Sequence, residues 1–172
     1  RAEGEAVSTA GPRYREFRFG VTRGVLRTAG DVQYLRCDQD LTPYPSRMTD
    51  RLIAWAERTP QQTLFAQRDP QHRDTWQTLT YAQALANGRA IGQALLARGL
   101  SAERPLVILS ENSLVHAQLA LGAMYAGVPF SAVSPAYALL SQDFDKLRHV
   151  FATLTPGLVY AADGARYGRA ID

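Results

Sequence analysis

Five side chains that could do chemistry crowd into one short stretch. Ser110, Glu111, Asn112 and Ser113 follow the apolar run 107–109, and His116 lies just beyond them in a helix-like pattern. A strand that empties into a helix start can hold an anion, because the first helical N–H groups have no intrahelical partner. The same geometry also serves plain capping, and that is the expectation here, with Asn112 as an ordinary N-cap worth roughly 1 kcal/mol. Ser110, like Ser134, falls at the C-terminal end of an expected strand, the edge of an open α/β sheet where ligands gather. No base partner for a serine nucleophile is identifiable from spacing. Glu111 has no second carboxylate nearby for acid–base work, so solvent exposure is its expected state. His116 sits one turn into an apolar helix and reads as a structural histidine rather than a general base.

Elsewhere the residue types that catalyse or ligate are isolated. There is no G-x-x-x-x-G-K-[ST] phosphate loop, since the nearest spacing, Gly122 to Gly127, runs on into Val128. The dinucleotide fingerprint G-x-G-x-x-G is missing too, which argues against a nicotinamide-binding oxidoreductase. His72, His116 and His149 are too scattered for a metal site, and Cys37, the only cysteine, excludes an internal disulfide and paired-cysteine zinc. Lys146, the only lysine, matches no catalytic pattern. Tyr125, Tyr137, Phe130 and Trp76 read as packing residues. No catalytic, metal or cofactor-binding residue is therefore assigned.

The elements that must position these residues are legible from periodicity. Residues 1–13 are small and polar without period and read as a flexible tail. Within residues 14–46, Gly30-Asp31 is a turn signal for a β-hairpin pairing residues 25–28 with 33–36, and the "LTPYPS" prolines make a linker. Residues 47–172 read as an α/β subdomain. Thr49 is the expected N-cap of a helix that Pro60 ends, with Leu52, Ile53 and Ala56 on one face. A strand, "TLFAQRD", follows. In the next helix Thr80 and Gln83 form a capping box, Ala84, Gly88, Ile91 and Leu95 repeat on one face, and Gly99 stops it. Gly88 and Gly92 would let it approach a neighbour closely, at a propensity cost of roughly 1 kcal/mol each.

Then come the strand "PLVILS", a helix apolar around most of its circumference, a short strand "VPFSAVS", and a helix placing Phe144, Leu147, Phe151 and Leu154 together with Asp143 and Asp145 in its first turn. The strand "LVYAAD" closes the series. Alternating strands and helices from residue 63 onward predict a parallel sheet covered by helices.

Composition narrows the classes further. The chain has 172 residues, 46% hydrophobic, enough for one sizeable core. Its net charge of +3 rests on scattered arginines with no basic stripe, which argues against nucleic acid. No stretch is long and apolar enough for a signal peptide or membrane span, so a soluble, cytoplasmic protein without membrane partners is expected. The first residue is Arg1 and the last segment, "GRAID", sits inside a helix pattern, both suggesting a fragment.

The order of these segments resembles the beginning of adenylate-forming acyl-CoA synthetases. "LTYAQALANGRAIGQALLARGL" is general to that superfamily, whereas "LSENSLVHAQLALGAMYAGVPFSAVSPAY" followed by "LSQDFDKLRHVF" resembles bacterial feruloyl-CoA synthases. The resemblance covers residues 20–172. It implies the first subdomain of a large N-terminal domain, and a parent enzyme in which a carboxylate attacks the α-phosphate of ATP, assisted by Mg²⁺, before the thiol of coenzyme A displaces AMP. The implied acid is an aromatic carboxylate, a hydroxycinnamate such as ferulate. The phosphate loop, the acidic ribose-binding motif and the catalytic lysine of that family belong to later segments and none is found here, so the fragment alone is expected to be inactive. The competing expectation is a stand-alone, non-catalytic α/β binding or interaction module.

Overall fold

The computed structural model describes residues 23–171. The expected tail at residues 1–13 lies outside them. Two compact units divide at Tyr44/Pro45.

The first unit contains a two-stranded antiparallel hairpin, β1 (Gly24–Ala29) and β2 (Val32–Cys37), in the expected register: Val25 opposes Arg36 and Thr28 opposes Gln33. Gly30 turns the chain at φ 59°, a left-handed conformation that costs glycine nothing.

The second unit is built on three parallel strands, β5 (Leu106–Leu109) at the centre, β6 (Phe130–Ala132) on one side and β7 (Leu158–Ala161) on the other. All four residues of β5 are completely buried, which is why the run is apolar without alternation. Its alternating side chains feed two different cores. Leu106 and Ile108 join Leu95, Leu100, Ala123 and Val128, whereas Val107 and Leu109 join Val133, Ala138, Leu147 and Tyr167. At roughly 1.5–3 kcal/mol for each large aliphatic side chain removed from water, this strand is the main apolar anchor of the unit.

The first of those cores lies under α2 (Tyr81–Ala97) and α3 (Leu114–Ala126), and the second under α5 (Asp145–Leu154) and α6 (Gly164–Ile171). A short helix, α4 (Ala136–Leu139), precedes α5. Thr80 and Gln83 form the expected capping box on α2, and Gly99 adopts φ 72° just beyond its end. Helices α2 and α3 meet through glycine: a Cβ on Gly122 would lie 2.6 Å from Ile91 Cβ and closer still to Ile91 Cγ2, and one on Gly92 would lie 3.1 Å from the Gly122 carbonyl. The Phe144, Leu147, Phe151 and Leu154 face does pack into the second core.

Three local expectations need correction. The strand at residue 63, β3 (Thr63–Arg68), does not join the parallel sheet but forms an antiparallel hairpin with β4 (Trp76–Thr80). "WQTLT" has the β-forming residues for a strand of its own, and Asp69 closes the loop by accepting from the Gln71 and His72 N–H groups and from Gln77 Nε2. Thr49 does not cap α1 (Met48–Arg58): it is 2% exposed inside the first turn, Arg47 is the N-cap, and the Asp50 carboxylate reaches back to the Arg47 N–H at 3.2 Å. Asp143 precedes α5 instead of lying in its first turn, and its carboxylate accepts the Asp145 N–H at 3.2 Å.

Candidate functional site

The chain leaves the C-terminal end of β5 and turns into α3 through Ser110, Glu111, Asn112 and Ser113. Several polar groups of this hinge are engaged, some locally and some by distant segments. Ser113, not Asn112, is the N-cap of α3, its hydroxyl accepting the His116 N–H at 3.0 Å. The hydroxyl wins because its shorter side chain lies directly at the cap position with extended backbone, φ −156° and ψ 166°. The Leu114 N–H, a second orphan donor, is taken by Gln67 Oε1 of β3 at 2.8 Å. Capping has therefore taken two of the donors that an anion would need, the N–H groups of Leu114 and His116.

Ser110 and His116, unconnected by any recognisable spacing, stand together: Ser110 Oγ is 3.1 Å from His116 Nδ1. Ser110 is 3% exposed and its Oγ also lies 3.0 Å from the Glu111 carbonyl oxygen. Proton bookkeeping fixes the roles. A carbonyl only accepts, so the single hydroxyl proton of Ser110 goes to Glu111, and His116 must donate Nδ1–H to the serine oxygen. A base that activated this serine would have to accept that proton, whereas here the ring gives one. The contact is a structural lock that leaves Nε2 outside it.

Glu111 is exposed, as expected, but it is also engaged. Its side chain is 48% exposed, yet Oε1 receives Arg166 Nη2 at 2.8 Å and Oε2 receives the Tyr167 hydroxyl at 2.9 Å. Its own backbone N–H, then the Tyr167 hydroxyl and Arg166, hold the carboxyl below its ordinary range. Burial first, and the Glu111 carboxylate second, push the Tyr167 phenol up. Asp163 Oδ1 accepts the Ala165 and Arg166 N–H groups and so starts the helix that delivers both partners.

Between β3 and the start of α3 lies a cleft of about 300 Å³, lined by Phe65, Gln67, Asn112, Leu114, His116 and Ala117 among others. Neither Ser110, which is buried, nor Ser134, which is exposed beyond β6, lines it.

The remaining candidates are dispersed. Lys146 Nζ lies 5.7 Å from the Tyr137 ring centroid, Arg68 covers Trp76 at 4.4 Å, Tyr125 hydroxyl accepts Arg89 Nε at 3.1 Å, and Phe130 packs against the first core. Among the described residues no group of three or more His, Cys, Asp or Glu side chains could hold a metal ion. No catalytic step is assigned to the hinge. No helix among the described residues is long and apolar enough to cross a membrane.

Sequence reasoning missed Gln67, Arg166 and Tyr167, which lie 47, 55 and 56 residues from their partners in the hinge. No local pattern connects such distant positions; the only signal was the amphipathic "ARYGRAI" segment.

Comparison with known proteins places this architecture. The chain is similar to the fatty acid AMP ligase from Legionella pneumophila, with 22% identity, a TM-score of 0.58, 66% of this chain covered and 19% of that one. It is also similar to VinN, solved in complex with 3-methylaspartate, at 25% identity and TM-score 0.57, covering 75% of this chain and 33% of that one. CmiS6 aligns at 21% identity and TM-score 0.53, over 71% and 30%. The chain thus spans 19% to 33% of the length of these structures. No curated protein is significantly similar to it. The helix-covered parallel sheet matches the N-terminal domain of adenylate-forming enzymes. The family described as "AMP-binding enzyme" matches residues 52–165, from within α1 to the start of α6, and the chain belongs to that family.

Proposed function

We propose that this chain is the N-terminal part of an ATP-dependent acid–thiol ligase that activates a hydroxycinnamate such as ferulate through an acyl-adenylate, with coenzyme A as the thiol and Mg²⁺ as the metal. The observation that carries the ligase class is the family match over residues 52–165. The aromatic acid and coenzyme A rest on the resemblance of "LSENSLVHAQLALGAMYAGVPFSAVSPAY" to feruloyl-CoA synthases. Domain limits at residues 1–13, 14–46 and 47–172, and a cytoplasmic setting, belong to the same reading.

In this reading the described residues are scaffold. They form the strand ends and the locked β5–α3 hinge on which the later segments assemble the nucleotide site. The test is AMP release and thioester formation by the full-length gene product, supplied with ATP, coenzyme A and ferulate, p-coumarate, caffeate, benzoate or a fatty acid. Thioester from the hydroxycinnamates is expected. Preference for a fatty acid would overturn the specificity, and no AMP release with any acid would overturn the class. Residues 1–172 alone are expected to make no acyl-adenylate.

A further inference from the structure

The hairpin β1–β2 has two unlike faces. Directly opposed residues share a face and neighbours along a strand alternate, so Leu26 and Leu35 stand on one side while Arg27, Tyr34 and Arg36 stand, with Val25, Ala29 and Val32, on the other. Arg27 opposes Tyr34, and Arg36 is its diagonal neighbour. These three, with Ala29, line a cleft of about 340 Å³. Neither arginine has an ion pair or hydrogen bond among the described residues, and Asp38, the next acid along the strand, gives Oδ1 to the Arg23 N–H and lies 3.9 Å from Cys37 Sγ.

The lining chemistry is one-sided. Guanidinium groups only donate, and a phenol hydroxyl can donate as well. Two like charges held diagonally across a ribbon repel, at a cost that an anion between them would offset. Planar forks of N–H donors match the oxygens of a phosphate better than those of any neutral group. Both strands are exposed along their whole length, so the arginine face is open to solvent.

We infer that the Arg27–Tyr34–Arg36 face of the hairpin is a binding site for a phosphate-class oxyanion, either a free polyphosphate or the phosphate of a small-molecule ester. The site does not depend on the ligase reading, and the two can fail separately.

Calorimetric titration of the 172-residue chain with inorganic pyrophosphate, coenzyme A and dephospho-coenzyme A tests it. Saturable binding is expected, falling as salt is raised and about tenfold weaker in Arg27→Gln or Arg36→Gln, the loss of one charged hydrogen-bonding partner. Arg27→Lys keeps the charge but not the fork and should retain part of the affinity. Binding of pyrophosphate assigns the free polyphosphate as the source. Binding of coenzyme A but not its dephospho form assigns the ester. Arg58→Gln, on α1, should change nothing. Equal affinity in the wild type and both glutamine variants, with unchanged circular dichroism, would overturn the site, as would absence of saturable binding to all three probes. Tighter binding to a single-stranded oligonucleotide than to any of them would replace it with a nucleic-acid surface.

Discussion

His116 donates its Nδ1 proton to Ser110, whose oxygen lies 3.1 Å away and whose own proton goes to the Glu111 carbonyl. Protonating the ring adds a proton at Nε2 and leaves this bond intact, so the lock is insensitive to the charge of the histidine. Nitrogen-15 NMR should therefore show a protonated, pyrrole-type Nδ1 in the neutral ring. An unprotonated Nδ1 would reverse the roles and make Ser110 the donor. Ser110→Ala strands the ring N–H in a partly buried site and should cost about 1–2 kcal/mol in urea unfolding.

The Glu111–Tyr167 pair sets opposite pH limits. Glu111 has a depressed carboxyl, so its contribution is present above the ordinary value of 4.5 and is lost as pH falls through the lower folded value. Tyr167 has a raised phenol, so its contribution is present below 10.0 and is lost as pH rises through the higher folded value. Tyr167→Phe should flatten both limbs of a stability–pH curve measured by denaturant unfolding. Unchanged limbs would mean that the hydroxyl and carboxylate do not interact in solution.

Glycine at position 122 answers to Ile91. Gly122→Ala drives a methyl group into Cβ and Cγ2 of Ile91 and should destabilise the protein by roughly 1–3 kcal/mol. At Gly88 the same substitution meets nothing within 4 Å, and the gain in helix propensity should stabilise by up to about 1 kcal/mol. Thermal melts of the two variants should move in opposite directions.

Gln67 caps a helix it does not belong to. Gln67→Ala frees the Leu114 N–H and should cost about 1 kcal/mol, while Gln67→Glu keeps an acceptor at the positive end of α3 and should be tolerated. Equal losses in both variants would show that side-chain volume, not the hydrogen bond, matters at that position.

Local signals served well where one element carries its own information. The capping box of Thr80 and Gln83, the turn at Gly30 and the apolar face from Phe144 to Leu154 all come from neighbours in sequence, and all are present. What could not be read is whatever depends on distant partners. β3 has the composition of any strand, and its pairing with β4 rather than β5 depends on how Asp69 folds the intervening loop. At the hinge, the choice of Ser113 over Asn112 turns on backbone dihedrals, and the engagement of Glu111 depends on a helix more than fifty residues later. The Ser110–His116 contact was missed although both residues had been singled out, because six residues spanning a strand, a loop and a helix have no fixed period.

The β5–α3 connection is tied from both directions of the chain, by Gln67 from upstream and by Arg166 and Tyr167 from downstream. Contacts of such separation close large loops and are made after local structure has formed. We expect the hinge to close late, after the rate-limiting step. Gln67→Ala and Tyr167→Phe should then accelerate unfolding in stopped-flow chevrons while leaving the refolding limb nearly unchanged. A nascent chain that has not yet released Tyr167 would lack α6 and leave the β5–α3 turn unfastened on its downstream side.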